Sequence, residues 1–180
     1  MTVRELTIVE GMRDIKRLME KCGNLEEKIS KHSADYDIEK PVYGTPDEQT
    51  AQVQEWVQSH TDSVHEICDL KRRLTKTNVE TKVTITIGDN AIERTITEWI
   101  ARRTQLSSLH ARAFACLNDR RLDKNLHLGA STPGAEDKVI NIRRYYDPKA
   151  RDKQLDALRD EPHLINQTLE VINATTQLVD

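Results

Sequence analysis

The chain of 180 residues has the length of one domain, or of one core with a small appendage, which excludes a large multidomain enzyme. Its hydrophobic share is 37% and its charged share 32%; with the six glycines counted the apolar total is about 40%, below the roughly 45–50% of a typical globular domain, so a single isotropic core is not expected. Lys and Arg number 27 against 30 Asp and Glu, for a formal charge of −3, so no global positive field draws the chain to nucleic acid.

The first residues, Met1-Thr2-Val3-Arg4-Glu5, are charged and lack an apolar leader core. No stretch approaches the 18 consecutive apolar residues of a membrane span. The expected setting is therefore cytoplasmic or virion, without export through a signal peptide. Cys22, Cys68 and Cys116 are odd in number and far apart, and no Cys-x-x-Cys pair occurs, so no disulfide framework or zinc ribbon is indicated.

Along the first helix, expected between Val3 and His32, Ile8, Ile15, Cys22 and Ile29 recur every seven residues. Gly11, Leu18, Leu25 and His32 follow three positions later, and Met12 and Met19 widen the stripe. This is the narrow seam of a helix that packs along one partner. A polar stretch from Ser33 to Gly44 ends it. Thr45-Pro46-Asp47-Glu48 then combines an N-cap, a proline at the first helical position and a capping-box glutamate. The second helix is expected from Pro46 to about Thr77, with its seam on Val53, His60, Ile67 and Leu74, Val57 and Val64 beside it, and Trp56 and Leu70 on the other flank. Two such helices joined by a short polar segment make an antiparallel hairpin.

From Val79 the period changes to two. Val83, Ile85 and Ile87 alternate with polar residues, Gly88-Asp89-Asn90 interrupts, and Ala91–Arg94 completes a β-hairpin. A face of Ile85, Ile87 and Ile92 is expected to pack on Trp99 or on a neighbouring subunit. Thr95-Ile96-Thr97-Glu98 is a second capping box and opens a third helix that carries Trp99, Arg103, Leu106, His110 and Phe114 and ends near Asn118 to Arg121. Residues 122 to 138 read as a loop, and Val139 to Tyr146 as a strand. Asp147-Pro148 caps a last helix whose seam holds Leu155, Leu158, Pro162, Ile165, Leu169, Ile172 and Val179, with a kink expected near Asp160–Glu161 ahead of the proline. That seam closes either on the same chain or between subunits. The segments are thus 1–121, 122–146 and 147–180, within one domain.

No metalloprotease, nucleophile-elbow, P-loop or dinucleotide-binding pattern occurs. His65, Cys68 and Asp69 would hold a metal only if Cys22 approached them. Burial of the cysteines as small hydrophobes explains the pattern with less, so no metal, cofactor or catalytic residue is assigned. His32 and His60 occupy seam positions, where a polar residue sets register. Arginine pairs at Arg72-Arg73, Arg102-Arg103, Arg120-Arg121 and Arg143-Arg144, the last beside Tyr145-Tyr146, offer the alternative of a nucleic-acid-associated factor. Ion pairing along solvated helix faces is the simpler account.

Arg72-Arg73-Leu74-Thr75-Lys76-Thr77-Asn78-Val79, the hairpin with its Gly88-Asp89 turn and Thr95-Ile96-Thr97-Glu98-Trp99-Ile100-Ala101-Arg102-Arg103 together resemble a family of helical proteins of bacteria and phages that carries the label septicolysin. The resemblance spans roughly Glu48 to Leu117, and more loosely the first helix and the closing helix through Thr176. It implies a long helical hairpin, a small β element and self-association through coiled-coil surfaces, with no catalytic residues. The label also implies a pore-forming toxin, against which stands the lack of a leader and of an amphipathic membrane hairpin. The resulting expectation is a mainly α, non-enzymatic structural or assembly protein. It forms a homo-oligomer, or joins other proteins of a larger particle such as a phage virion, in a capsid, neck or tail accessory role. The interface is expected on Leu155, Leu158, Ile165, Leu169, Ile172, Val179, Ile85, Ile87 and Ile92.

Overall fold

A computed structural model describes residues 5–88, 90–122, 127–128, 138–139 and 142–180. The chain is mainly helical, with a small two-stranded antiparallel sheet. In order, the elements are α1 (Ile8–His32), α2 (Pro46–Glu80), β1 (Lys82–Ile87), β2 (Asn90–Thr95), α3 (Ile96–Ala101), a π-helical segment (Arg102–Leu106), α4 (Ser107–Ala115), the two-residue strands β3 (His127–Leu128) and β4 (Lys138–Val139), and α5 (Pro148–Thr175). They form two compact units, one of Met1–Val83 with Leu169–Asp180 and one of Thr84–Thr168. The unit boundaries fall inside β1 and inside α5 rather than in the loops.

Three helices start on the same device. Thr7, Thr45 and Thr95 each accept from the backbone N–H three residues on, while Glu10, Glu48 and Glu98 reach back to the threonine N–H, which satisfies two of the donors a helix start leaves open. At α5, Asp147 accepts from the N–H of Lys149 at 2.9 Å. Gly44, just before the second cap, sits at φ +89°, a conformation natural to glycine.

In the first unit α1 and α2 pack antiparallel, with Gln49 donating to the His32 carbonyl at 2.8 Å near one end and His60 Nε2 3.0 Å from Glu26 Oε1 farther along. The seam of α1 lies on Ile8, Gly11, Leu18, Cys22 and Leu25, as the heptad implies. The seam of α2 does not follow the expected row. Val53, His60, Ile67 and Leu74 are half-buried, and the buried row is Trp56, Ser63, Leu70 and Thr77, with Arg73 beside it. Two polar residues disguise that row in the sequence. Their hydroxyls donate to their own helix, Ser63 to the Ser59 carbonyl and Thr77 to the Arg73 carbonyl, each at 2.8 Å, so burial leaves them satisfied.

The segment after α5 seals this unit. Leu178 N–H donates to the Leu6 carbonyl at 2.7 Å and Ile8 N–H to the Thr176 carbonyl at 3.0 Å, while Val179 N–H donates to Thr77 Oγ1 at 2.9 Å. Leu178, not Val179, is the buried residue here, because the short antiparallel bridge between Thr7 and Gln177 replaces helical with alternating geometry. A Cβ on Gly11 would stand 2.6 Å from Leu178 Cδ1, so glycine permits this approach.

In the second unit, Ile85, Ile96, Trp99, Leu158 and Ile165 are buried. The expected third helix is split by a π turn, closed by the Ser107 N–H on the Arg102 carbonyl, and α4 ends at Ala115, earlier than its periodicity implies. The expected strand from Val139 to Tyr146 reduces to β4, which pairs antiparallel with β3. Ile142 to Asp147 is irregular, and Ile140 and Asn141, like most of the expected loop, lie outside the described residues. No break occurs at Pro162; α5 continues through it. Burial of Leu158, Ile165 and Leu169, gross roughly 1.5–3 kcal/mol each, outweighs the roughly 3 kcal/mol that proline costs a helix interior.

Candidate functional site

Four of the residues expected at an interface, Ile85, Leu158, Ile165 and Leu169, are core residues of the single chain. Leu155, Ile172, Ile87 and Ile92 are half-buried, and Val179 is exposed. The C-terminal seam is thus largely consumed inside the chain, and the apolar surface left open lies elsewhere.

Part of it lies on the α1–α2 hairpin, while Leu106, Leu109, Leu117 and Val171 are among the exposed apolar residues outside it. Each helix of the hairpin carries a second row beside its buried one, at the same seven-residue spacing. On α1 the row is Met12, 42% exposed, Met19, 56% exposed, and Glu26; on α2 it is Val57, 47% exposed, and Val64, 45% exposed. Glu26 and Ile29 of α1 line one shallow groove together with Val57 and His60 of α2. Since residues seven apart share a helix face, Met12 and Met19 open on the same side of the hairpin as Val57 and Val64. Half-buried Ile15 and Val53 adjoin these rows. The His60–Glu26 contact crosses the groove, which gives His60 a bridging place rather than a core one. His32 instead joins Tyr43 and Trp56 in a ring cluster with centroids 5.4–5.7 Å apart, under the loop that links the helices.

The second unit holds a polar cluster that periodicity does not reveal. Glu161 is 4% exposed and receives Arg102 in a forked contact, Nε to Oε1 and Nη2 to Oε2, both at 2.9 Å. Ser107 Oγ lies 2.8 Å from Glu161 Oε2 and 3.0 Å from the Arg102 carbonyl, and its single proton serves one of them at a time. The π turn brings Ser107 and Arg102 onto the carboxylate together. Such turns recur at functional sites. The one available sequence signal is Glu161 itself, an acid between Leu158 and Ile165 on the apolar stripe of α5.

The arginine pairs are largely spent within the chain. Arg73 is buried, with Nε 3.0 Å from Asp180 Oδ1 as an ion pair and Nη2 donating to the Leu178 carbonyl at 3.4 Å. Arg72 pairs with Asp69 at 2.8 Å, and Arg103 donates to Asn166 Oδ1 at 2.6 Å. Asp119 holds Arg144 and pushes its guanidinium pKa further up. Of the metal candidates, Cys22 is buried while His65, Cys68 and Asp69 are exposed. Among the described residues no group of three or more His, Cys, Asp or Glu could hold a metal, and no helix is long and apolar enough to cross a membrane.

No family model matches the chain, and no curated protein matches it. It is similar to one solved structure, titled as a functionally unknown conserved protein from Corynebacterium diphtheriae, at 17% identity and a TM-score of 0.49, over 98% of this chain and 100% of that one.

Proposed function

We propose that the chain is a non-enzymatic assembly protein that associates with copies of itself, or within a larger particle, through the open side of the α1–α2 hairpin. The observation that carries this reading is the pair of exposed rows, Met12 and Met19 on α1 and Val57 and Val64 on α2. Each row repeats a single heptad position, and the row of α1 with that of α2 together offer an apolar strip for a further helix to cover. The chain supplies complementary helices of that spacing itself, which favours a second copy as the partner. The resemblance of roughly Glu48 to Leu117 to the family labelled septicolysin adds a setting, a phage virion component of the capsid, neck or tail accessory kind.

Sedimentation with multi-angle light scattering tests the reading on the full chain and on a Met19→Glu/Val64→Glu variant. The expected outcome is a defined, nuclease-indifferent oligomer for the parent and a monomer of unchanged helicity for the variant. Since both side chains are about half exposed, the two substitutions together cost the monomer no more than about 1 kcal/mol. A parent that stays monomeric at all concentrations, or a variant that assembles as well as the parent, overturns it.

A further inference from the structure

Beside the Arg102–Glu161 pair the second unit opens a cavity of about 330 Å3, at the small end of the range for small-molecule sites. Its walls differ in chemistry. Ile87 and Ile92 of the β-hairpin and Ala157 and Leu158 of α5 supply an apolar side, and Arg102, His110 and Lys153 supply donors.

The charges do not cancel. Both oxygens of Glu161 are taken, Oε1 by Arg102 Nε and Oε2 by Arg102 Nη2 and Ser107, so this pair is neutral as a unit. Lys153 has no hydrogen-bond or ion-pair partner among the described residues, because the neighbouring acids are engaged elsewhere, Asp152 with Arg151 at 2.8 Å and Asp156 with Arg159 at 3.5 Å. His110 Nδ1 lies 3.2 Å from Arg102 Nη2. A guanidinium only donates, so Nδ1 accepts and the ring proton sits on Nε2 as a further donor. The cavity therefore presents one uncompensated positive charge, neutral donors including Asn90 and Gln154, and apolar side chains in the same lining. That set matches a monoanion with an apolar body. A dianion such as phosphate would bring excess negative charge next to buried Glu161 and leave the apolar wall uncovered.

We propose that this cavity binds a small organic monocarboxylate, its head on Lys153 Nζ with the free edge of Arg102 and the His110 Nε2–H, and its body against Ile87, Ile92, Ala157 and Leu158. Glu161 and Ser107 act as positioning residues that hold the guanidinium. The site is independent of the assembly face, and its occupancy is read from amides of residues 84–168 whatever the oligomeric state.

Titration of the full chain, labelled with nitrogen-15, with hexanoate is the test, with 1-hexanol and inorganic phosphate as comparison probes. Hexanoate should produce saturable shifts at the amides of Ile87, Ile92, His110 and Lys153, with hexanol and phosphate each binding about tenfold more weakly or worse. Lys153→Met should weaken hexanoate about tenfold, the worth of one charge-assisted hydrogen bond, and leave hexanol unchanged. Ala157→Phe should fill the cavity and abolish binding while the amides of α1 and α2 stay in place. The proposal is overturned if hexanoate gives no saturable shift up to about 10 mM, if phosphate binds as tightly as hexanoate, or if Lys153→Met binds it like the parent.

Discussion

The α1–α2 hairpin and the unit of residues 84–168 both bury polar side chains, and they satisfy them in opposite ways. In the hairpin, Ser63 and Thr77 return their hydroxyls to carbonyls four residues back on the same helix. Such a bond is made within the helix whatever packs opposite, and only Thr77 adds a distant partner, its Oγ1 accepting from the Val179 N–H. In the second unit, Glu161 is satisfied among the described residues only by Arg102 and Ser107, 59 and 54 residues away in sequence. A charge in that position accepts a single arrangement, because every alternative leaves a carboxylate buried without a partner. The periodic region thus tolerates variation and keeps a second apolar row open, whereas the aperiodic region is specified by one constellation. Arg73, which meets Asp180 and the Leu178 carbonyl, brings a measure of the second strategy into the first unit.

Breaking the constellation gives the largest expected effect. Arg102→Ala should lower unfolding stability by about 3–5 kcal/mol in urea denaturation, since it strands the Glu161 carboxylate, whereas Arg102→Met combined with Glu161→Leu should recover most of the loss. A single-variant loss below about 1 kcal/mol would mean that the pair does not hold the unit together.

A smaller effect is expected where the first unit depends on fit rather than charge. Gly11→Ala places a methyl 2.6 Å from Leu178 Cδ1. Overpacking costs about 1–3 kcal/mol against a helix-propensity gain of about 0.5–1 kcal/mol. The net expectation is a loss of about 1 kcal/mol in the same assay, accompanied by faster amide exchange at Leu178. A stabilised variant would show that the segment after α5 does not press on α1. At the small end, Arg72→Ala should change stability by less than about 0.5 kcal/mol, because its pair with Asp69 is exposed on both sides. The contrast with the buried neighbour Arg73 separates the two residues of one dibasic step.

What was legible in the sequence is local. The threonine–glutamate boxes at Thr45 and Thr95, Asp147-Pro148, the heptad of α1 and the alternation of Val83 to Ile87 all act within a few residues. A backbone donor, its cap and a shared helix face lie that close in any fold that forms the element. The box at Thr7 and Glu10 is equally local and equally readable.

The expected row on α2 failed for a physical reason that sequence periodicity does not carry. Ser63 and Thr77 count as polar in a hydropathy pattern, yet each satisfies its hydroxyl internally and packs as a small residue. The same reasoning explains the interface residues. A stripe of Leu and Ile states that it must be buried, not by what, and the tertiary structure gives Leu158, Ile165 and Leu169 to the chain's own core while the rows of Met12 and Val57 stay open.

By itself, then, the sequence determined which segments are helices, where they start and which stripes are apolar, because those properties depend on backbone geometry and neighbours within about two turns. Only the tertiary structure decided which of two adjacent rows is the seam, that Leu178 rather than Val179 turns inward, and that Glu161 meets Arg102 at the π turn. Each of those outcomes is a choice between partners distant in the chain. It is settled by fit, as where Leu178 meets Gly11, or by the steep cost of an unpaired charge at residue 161, which no local pattern records.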